Sequence, residues 1–172
     1  MLPTLDDFGV PTPVYIRKLD SRTHWNPEGC INQQERVQRI AERIFKHSVN
    51  SLWLINSNQD FYGMVASLSA KRNPRQQDID FIWITEEELN EVGINFKQVV
   101  EGDCLHAQSL HYNADIDQEQ AKKLCEILTS KGRETKRCKR KQTEEIIKYL
   151  ENSGCKALVA NYLRCKCVAQ KD

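Results

Sequence analysis

Residues 79–93, IDFIWITEEELNEVG, constrain the fold more than any other stretch of the chain. Ile79 to Ile84 is a short run of β-branched and aromatic residues, the composition that packs well on a pleated, buried surface. It gives way at once to Thr85, and Glu88 stands three residues on, the reciprocal pair of a capping box. Ile84 and Leu89 are spaced as a hydrophobic staple, and Gly93 offers a left-handed stop. A strand that passes so abruptly into a short helix predicts a sheet with a helical layer packed against it.

Other segments fit that frame. Val37, Ile40, Ala41, Ile44 and Phe45 recur at helical spacing and predict a helix over residues 33–47, with Asn32 as its cap and Glu35 at the reciprocal position. Arg36, Arg39 and Arg43 fall outside that stripe. Residues 14–19 (VYIRKL) predict a strand. Residues 52–55 and 61–68 flank the turn-rich NSNQD and predict a hairpin, and residues 71–77, holding Pro74, predict a loop. Residues 104–112 (CLHAQSLHY) predict a further strand. Asp117 caps a helix carrying Ala121, Leu124, Cys125 and Leu128, with Gly132 as its stop. A last helix carries Ile146, Ile147 and Leu150 up to Gly154, and residues 156–167 predict a final strand. Pro3, Pro11 and Pro13 make residues 1–13 an extended arm. The sum is α+β: a largely antiparallel sheet of five to six strands against about four helices, forming one domain over residues 14–172.

Size agrees, since 172 residues suit a single core that buries roughly 70% of the unfolded surface without a metal or disulfide staple. No run approaches the ~18 apolar residues of a membrane helix. The opening MLPTLDDFGVPTP has acids where a secretory signal has a basic start, and it lacks an apolar core. The seven cysteines are odd in number and irregularly spaced, which predicts reduced thiols. A cytoplasmic protein is expected. The formal net charge of +1 favours neither nucleic acid nor membrane, so an electrostatic partner has to be sought in local patches.

The strongest such patch is residues 131–141, KGRETKRCKRK. It sets Lys131, Arg133, Lys136, Arg137, Lys139, Arg140 and Lys141 against the single acid Glu134, and it runs into the start of a helix. Cations there oppose the helix dipole, and with exposed amides they suit a phosphate, hence nucleic acid or an acidic protein. A solvated charged loop is the plain alternative. Residues 78–103 carry the opposite sign, with Asp78, Asp80, Glu86, Glu87, Glu88, Glu91, Glu101 and Asp103 against Lys97. The two patches can meet within the fold or between copies, which makes self-association a third reading. Asp78 and Asp80 alternate along a strand and can point the same way, a weak Mg²⁺ motif.

Cys104-x-His106 and Cys165-x-Cys167 would each share a strand face and form a tetrahedral zinc set, but the spacing is tighter than structural zinc sites use. No cofactor and no metal are therefore expected. His24 and Cys30, in the irregular loop RTHWNPEGC, are the only nucleophile–base candidates, with no third orienting group in sight. Trp25 in that loop either anchors a partner or folds back over the core. His106 and His111 have opposite strand parity, and His47 sits as a cation near a helix end. Phosphate-loop, dinucleotide, nucleophile-elbow and zincin motifs do not occur. The sequence favours a non-enzymatic interaction protein with an anionic partner at residues 131–141. A small Cys/His or carboxylate hydrolase and an oligomer subunit are the alternatives.

Overall fold

A computed structural model describes residues 1–70, 78–100 and 105–153, and in them six strands form one antiparallel sheet. The strands are β1 (Val14–Leu19), β2 (Val49–Ile55), β3 (Ile79–Ile84), β4 (Asn95–Gln98), β5 (His111–Asp115) and β6 (Lys136–Cys138), in the order β4-β5-β2-β1-β3-β6. Six α-helices accompany them: α1 (Gln33–Ile44), α2 (Asn58–Ala70), α3 (Glu86–Val92), α4 (Leu105–Leu110), α5 (Gln118–Ser130) and α6 (Arg140–Asn152). The class is α+β as expected, with more helices than the four anticipated.

Period-two alternation divides the sheet into two buried faces. Val14, Ile16, Trp53, Ile55 and Phe81 point to one, where they meet Phe61, Met64 and Val65 of α2 and Ile146 and Leu150 of α6. Tyr15, Leu52, Ile82, Ile84 and Ala114 point to the other, against the stripes of α1 and α5 and Leu89 of α3. The caps form as the sequence predicts. Asn32 accepts from the Glu35 N–H at 2.8 Å, Thr85 and Glu88 close their box, and Asp117 pairs reciprocally with Gln120. Gly93 ends α3 with φ at +72°, a left-handed turn that glycine adopts without strain.

Three expectations are corrected. Residues 61–68 are not the second strand of a hairpin but lie within α2. Their side chains are buried on nearly every side, so no apolar stripe betrays the helix. Residues 104–112 are not one strand: α4 occupies 105–110 and β5 begins at His111. Residues 1–13 are not extended throughout either, since Asp6–Phe8 form a 3-10 turn and the segment packs on the core. Leu5, Phe8 and Val10 are buried, the Leu5 N–H donates to Asn58 Oδ1 at 2.7 Å, and the Tyr62 hydroxyl donates to the Pro3 carbonyl at 3.0 Å. The strand expected over 156–167 and the stop at Gly154 lie outside the described residues.

One feature of the sheet bears on function. β1 and β2 share three register pairs, Val14↔Ile55, Tyr15↔Leu54 and Ile16↔Trp53. Beyond them β1 stays with β3 as far as Leu19↔Asp80, while β2 stays with β5 as far as Val49↔Asp115. The two central strands therefore diverge, and a fork opens between Arg17–Leu19 and the start of β2.

Candidate functional site

The basic segment meets the acidic one inside the molecule. Glu88, 1% exposed, accepts from Arg133 Nη2 at 2.7 Å and from Lys131 Nζ at 3.0 Å. Burial pulls the Arg133 guanidinium below its ordinary range, and Glu88 opposes that pull. Its Cζ also stands 3.1 Å from the Trp83 ring centroid, a cation–π contact. Arg137 is clamped by two carboxylates, with Asp80 at 2.6 Å and Asp78 at 3.0 Å. The Asp80 hydrogen bond raises the Arg137 pKa further. Burial pushes Asp80 up, but hydrogen bonds and charge from Arg137, with the Arg22 N–H, hold it below its usual value.

Asp78 and Asp80 do point the same way, as strand parity implies, yet they converge on a guanidinium. Arg140 pairs with Glu144 at 3.1 Å and Lys136 lies 3.9 Å from Glu134. Of the seven cations, Lys139 and Lys141 alone have no ion pair among the described residues, and both are exposed. The premise of unneutralised charge thus fails for the other five.

The remaining sequence candidates are not assembled into one site. The Cys30 thiol donates to the Pro27 carbonyl at 3.4 Å, and among the described residues no hydrogen bond joins it to His24. Trp25 folds inward, 2% exposed, and donates from Nε1 to the Arg133 carbonyl at 2.8 Å. His106 falls on α4, where strand alternation does not apply. Cys104, Cys165 and Cys167 lie outside the described residues, among which no group of three potential ligands is placed to hold a metal.

A different cluster forms at the fork. Here a cleft of about 230 Å³ opens between β1 and β2, lined from both sides of the sheet. Trp53 and Leu68 contribute from one face, Leu19 and Ile44 from the other. Arg17 fills the base of the fork. Its Nη1 donates to the Ser51 carbonyl at 3.2 Å, and its Nη2 donates at 3.1 Å to the Ile44 carbonyl, one of the groups that the end of α1 leaves unpaired. Its Nε is buried without a hydrogen-bond partner among the described residues. Burial lowers the Arg17 pKa, and the Asp20 charge partly restores it.

Among the described residues Lys18, Arg43 and Lys46 complete a set of four cations in the lining, which also includes the His24 ring. Asp20 is the one carboxylate in the lining among the described residues. It bridges Lys18 Nζ at 3.1 Å and Lys46 Nζ at 3.2 Å. Hydrogen bonds from Lys18 and Lys46 hold the Asp20 carboxyl down at about 2. Trp53 and His111 form the inner wall, with ring centroids 4.9 Å apart and both residues nearly fully buried. Protein-family profiles, curated proteins and solved structures offer no match to this chain.

The cleft therefore stands on its own geometry. Four cations against one carboxylate, in a concave polar space, can receive an anion. Sequence reasoning passed over Arg17 and Lys18 because they lie inside a strand and not in a charged run. The available signal was parity: Arg17 shares a face with Tyr15 and Leu19, both buried, so it was bound to enter the interior.

Proposed function

We propose that this chain is a non-enzymatic interaction protein, in a cytoplasmic setting that keeps its thiols reduced, and that it binds nucleic acid through the cationic cleft between β1 and β2. The observation that carries this reading is the excess, among the described residues, of four cations over one carboxylate in a single cleft. Arg43 and Lys46 are exposed at the end of α1, where an approaching anion meets them first. Lysine and arginine contacts of this kind release counterions from a phosphate backbone, so affinity falls with salt. The exposed Lys139 and Lys141 extend the same chemistry elsewhere on the surface with less support, because their neighbours are already paired internally.

Fluorescence anisotropy with labelled single-stranded RNA and DNA tests the proposal. Up to four phosphate contacts give a slope of log affinity against log salt no steeper than about −3. Reversing both Arg43 and Lys46 to Glu should weaken binding at least tenfold, while reversing Lys139 and Lys141 should change it little. The opposite ranking would return the site to residues 131–141. Binding to an acidic polypeptide but to no oligonucleotide would make the partner a protein. Binding to neither at low salt would refute the anionic-partner reading.

A further inference from the structure

Resting on the reading of the cleft as an anion site, we propose that it accepts a phosphate monoester and that Asp20 is the internal counter-ion this group displaces. Asp20 holds Lys18 and Lys46 on opposite oxygens, at 3.1 and 3.2 Å, while its own side chain is 57% exposed. Lys18 lines the cleft and is mostly covered, at 17% exposure, with its ammonium held by Asp20. One carboxylate cannot neutralise what surrounds it. With Arg17 and Arg43, the lining retains an excess of positive charge after Asp20 has been counted.

An incoming carboxylate brings the same charge and the same two oxygens as Asp20 and gains little by replacing it. A phosphate monoester brings close to two negative charges and three terminal oxygens, enough to hold both lysines and still engage Arg43. A phosphodiester carries a single charge and two substituents, and needs a groove open at both ends. Here the buried Trp53–His111 pair lines the cleft, while the exposed Arg43 and Lys46 stand at the end of α1, so a terminal phosphate can occupy the cleft while the backbone that follows it lies along those two cations. Two sources carry the same chemistry: a small phosphorylated molecule, and the phosphorylated end of a nucleic acid.

Isothermal titration with inorganic phosphate and a nucleoside monophosphate addresses the first source. Anisotropy with one oligonucleotide, 5′-phosphorylated or 5′-hydroxyl, addresses the second. Asp20→Asn should bind inorganic phosphate five- to tenfold more tightly than the wild type, because the competitor has gone while both lysines remain. Lys46→Ala should bind it at least fivefold more weakly. A nucleoside monophosphate that binds while both oligonucleotides bind alike identifies the small-molecule source. A 5′-phosphate preference of tenfold or more identifies the nucleic-acid end.

Unchanged or weaker phosphate binding by folded Asp20→Asn would overturn the displacement. If Asp20→Asn does not fold, Lys46→Ala decides alone, and phosphate affinity equal to that of the wild type rejects the site. Equal affinity for the two oligonucleotides, with no binding of phosphate or monophosphate, would overturn the monoester assignment and leave nucleic-acid binding standing. Loss of every interaction would refute both.

Discussion

Glu88→Gln is the sharpest probe of the internal charge network. The wild-type Oε2 accepts the Thr85 N–H at 2.9 Å, and Oε1 accepts both Arg133 and Lys131. Glutamine preserves the shape and can keep the cap, but it leaves the Arg133 charge, 6% exposed, without a counter-charge. Removing one partner of a buried pair costs about 3–5 kcal/mol. The surviving amide oxygen and the Trp83 face should offset about 1–2 kcal/mol of that. Lys131 is half exposed, so its lost pairing adds little. The net expectation is a destabilisation of about 1–4 kcal/mol, and for a chain of this size a fall in Tm of roughly 2–16 °C. Urea and thermal denaturation followed by far-ultraviolet circular dichroism measure it. Glu88→Gln combined with Arg133→Met should recover at least about 1 kcal/mol relative to the sum of the two single changes. A single variant within about 0.5 kcal/mol of wild type, or strict additivity in the double, would refute this account of the network.

Phe8 packs against Phe61 at 5.5 Å and Phe81 at 5.8 Å, so Phe8→Ala should cost about 3 kcal/mol in a denaturant titration. A neutral result would mean the N-terminal segment does not complete the core. Burial pushes the Cys138 thiol up to about 11 and raises Cys125 further still. Iodoacetamide on the native protein should therefore leave both unmodified in a peptide map, whereas denatured protein reacts at both; rapid native labelling of either would contradict the packing. The Asp20 carboxyl lies at about 2 when folded, against an ordinary 3.8. A lowered acid adds stability that is full above its unfolded value and lost as pH falls through the folded one. For this exposed bridge the loss should stay under about 1 kcal/mol. Asp20→Asn should flatten the stability profile between about pH 4 and 2, and an unaltered profile there would show the bridge to be inert.

Where a cap, a stripe and a stop coincide, the elements could be read directly. Asn32 with the stripe of α1, Thr85 and Glu88 with Gly93, and Asp117 with the stripe of α5 each give independent local cues that agree. α2 escaped because its residues are apolar on almost every side, which removes the contrast that periodicity needs. A cue was present nonetheless: the Asp60 N–H donates to Ser57 Oγ at 3.2 Å, and its carboxylate accepts the Asn56 N–H at 3.0 Å, a helix start hidden in an apparent turn. β4 and β6 are too short to alternate visibly. The segment 131–141 looked uncompensated because its counter-charges, Asp78, Asp80 and Glu88, lie some fifty residues away in the sequence and are brought alongside only by the β3–β6 pairing and the end of α5. Parity could have placed Arg17 in the interior, but the cleft around it could not be read, since it arises from two strands parting company.

The first strand of the described sheet has partners on both sides, and both come later in the chain. β1 lies between β2 and β3, so during synthesis one of its hydrogen-bonding rims stays bare until Ile55 has emerged and the other until Ile84 has. Such a rim is a template for pairing with foreign strands. The cations in VYIRKL then act before any fold exists: Arg17 and Lys18 keep an otherwise sticky ribbon apart from its nascent neighbours.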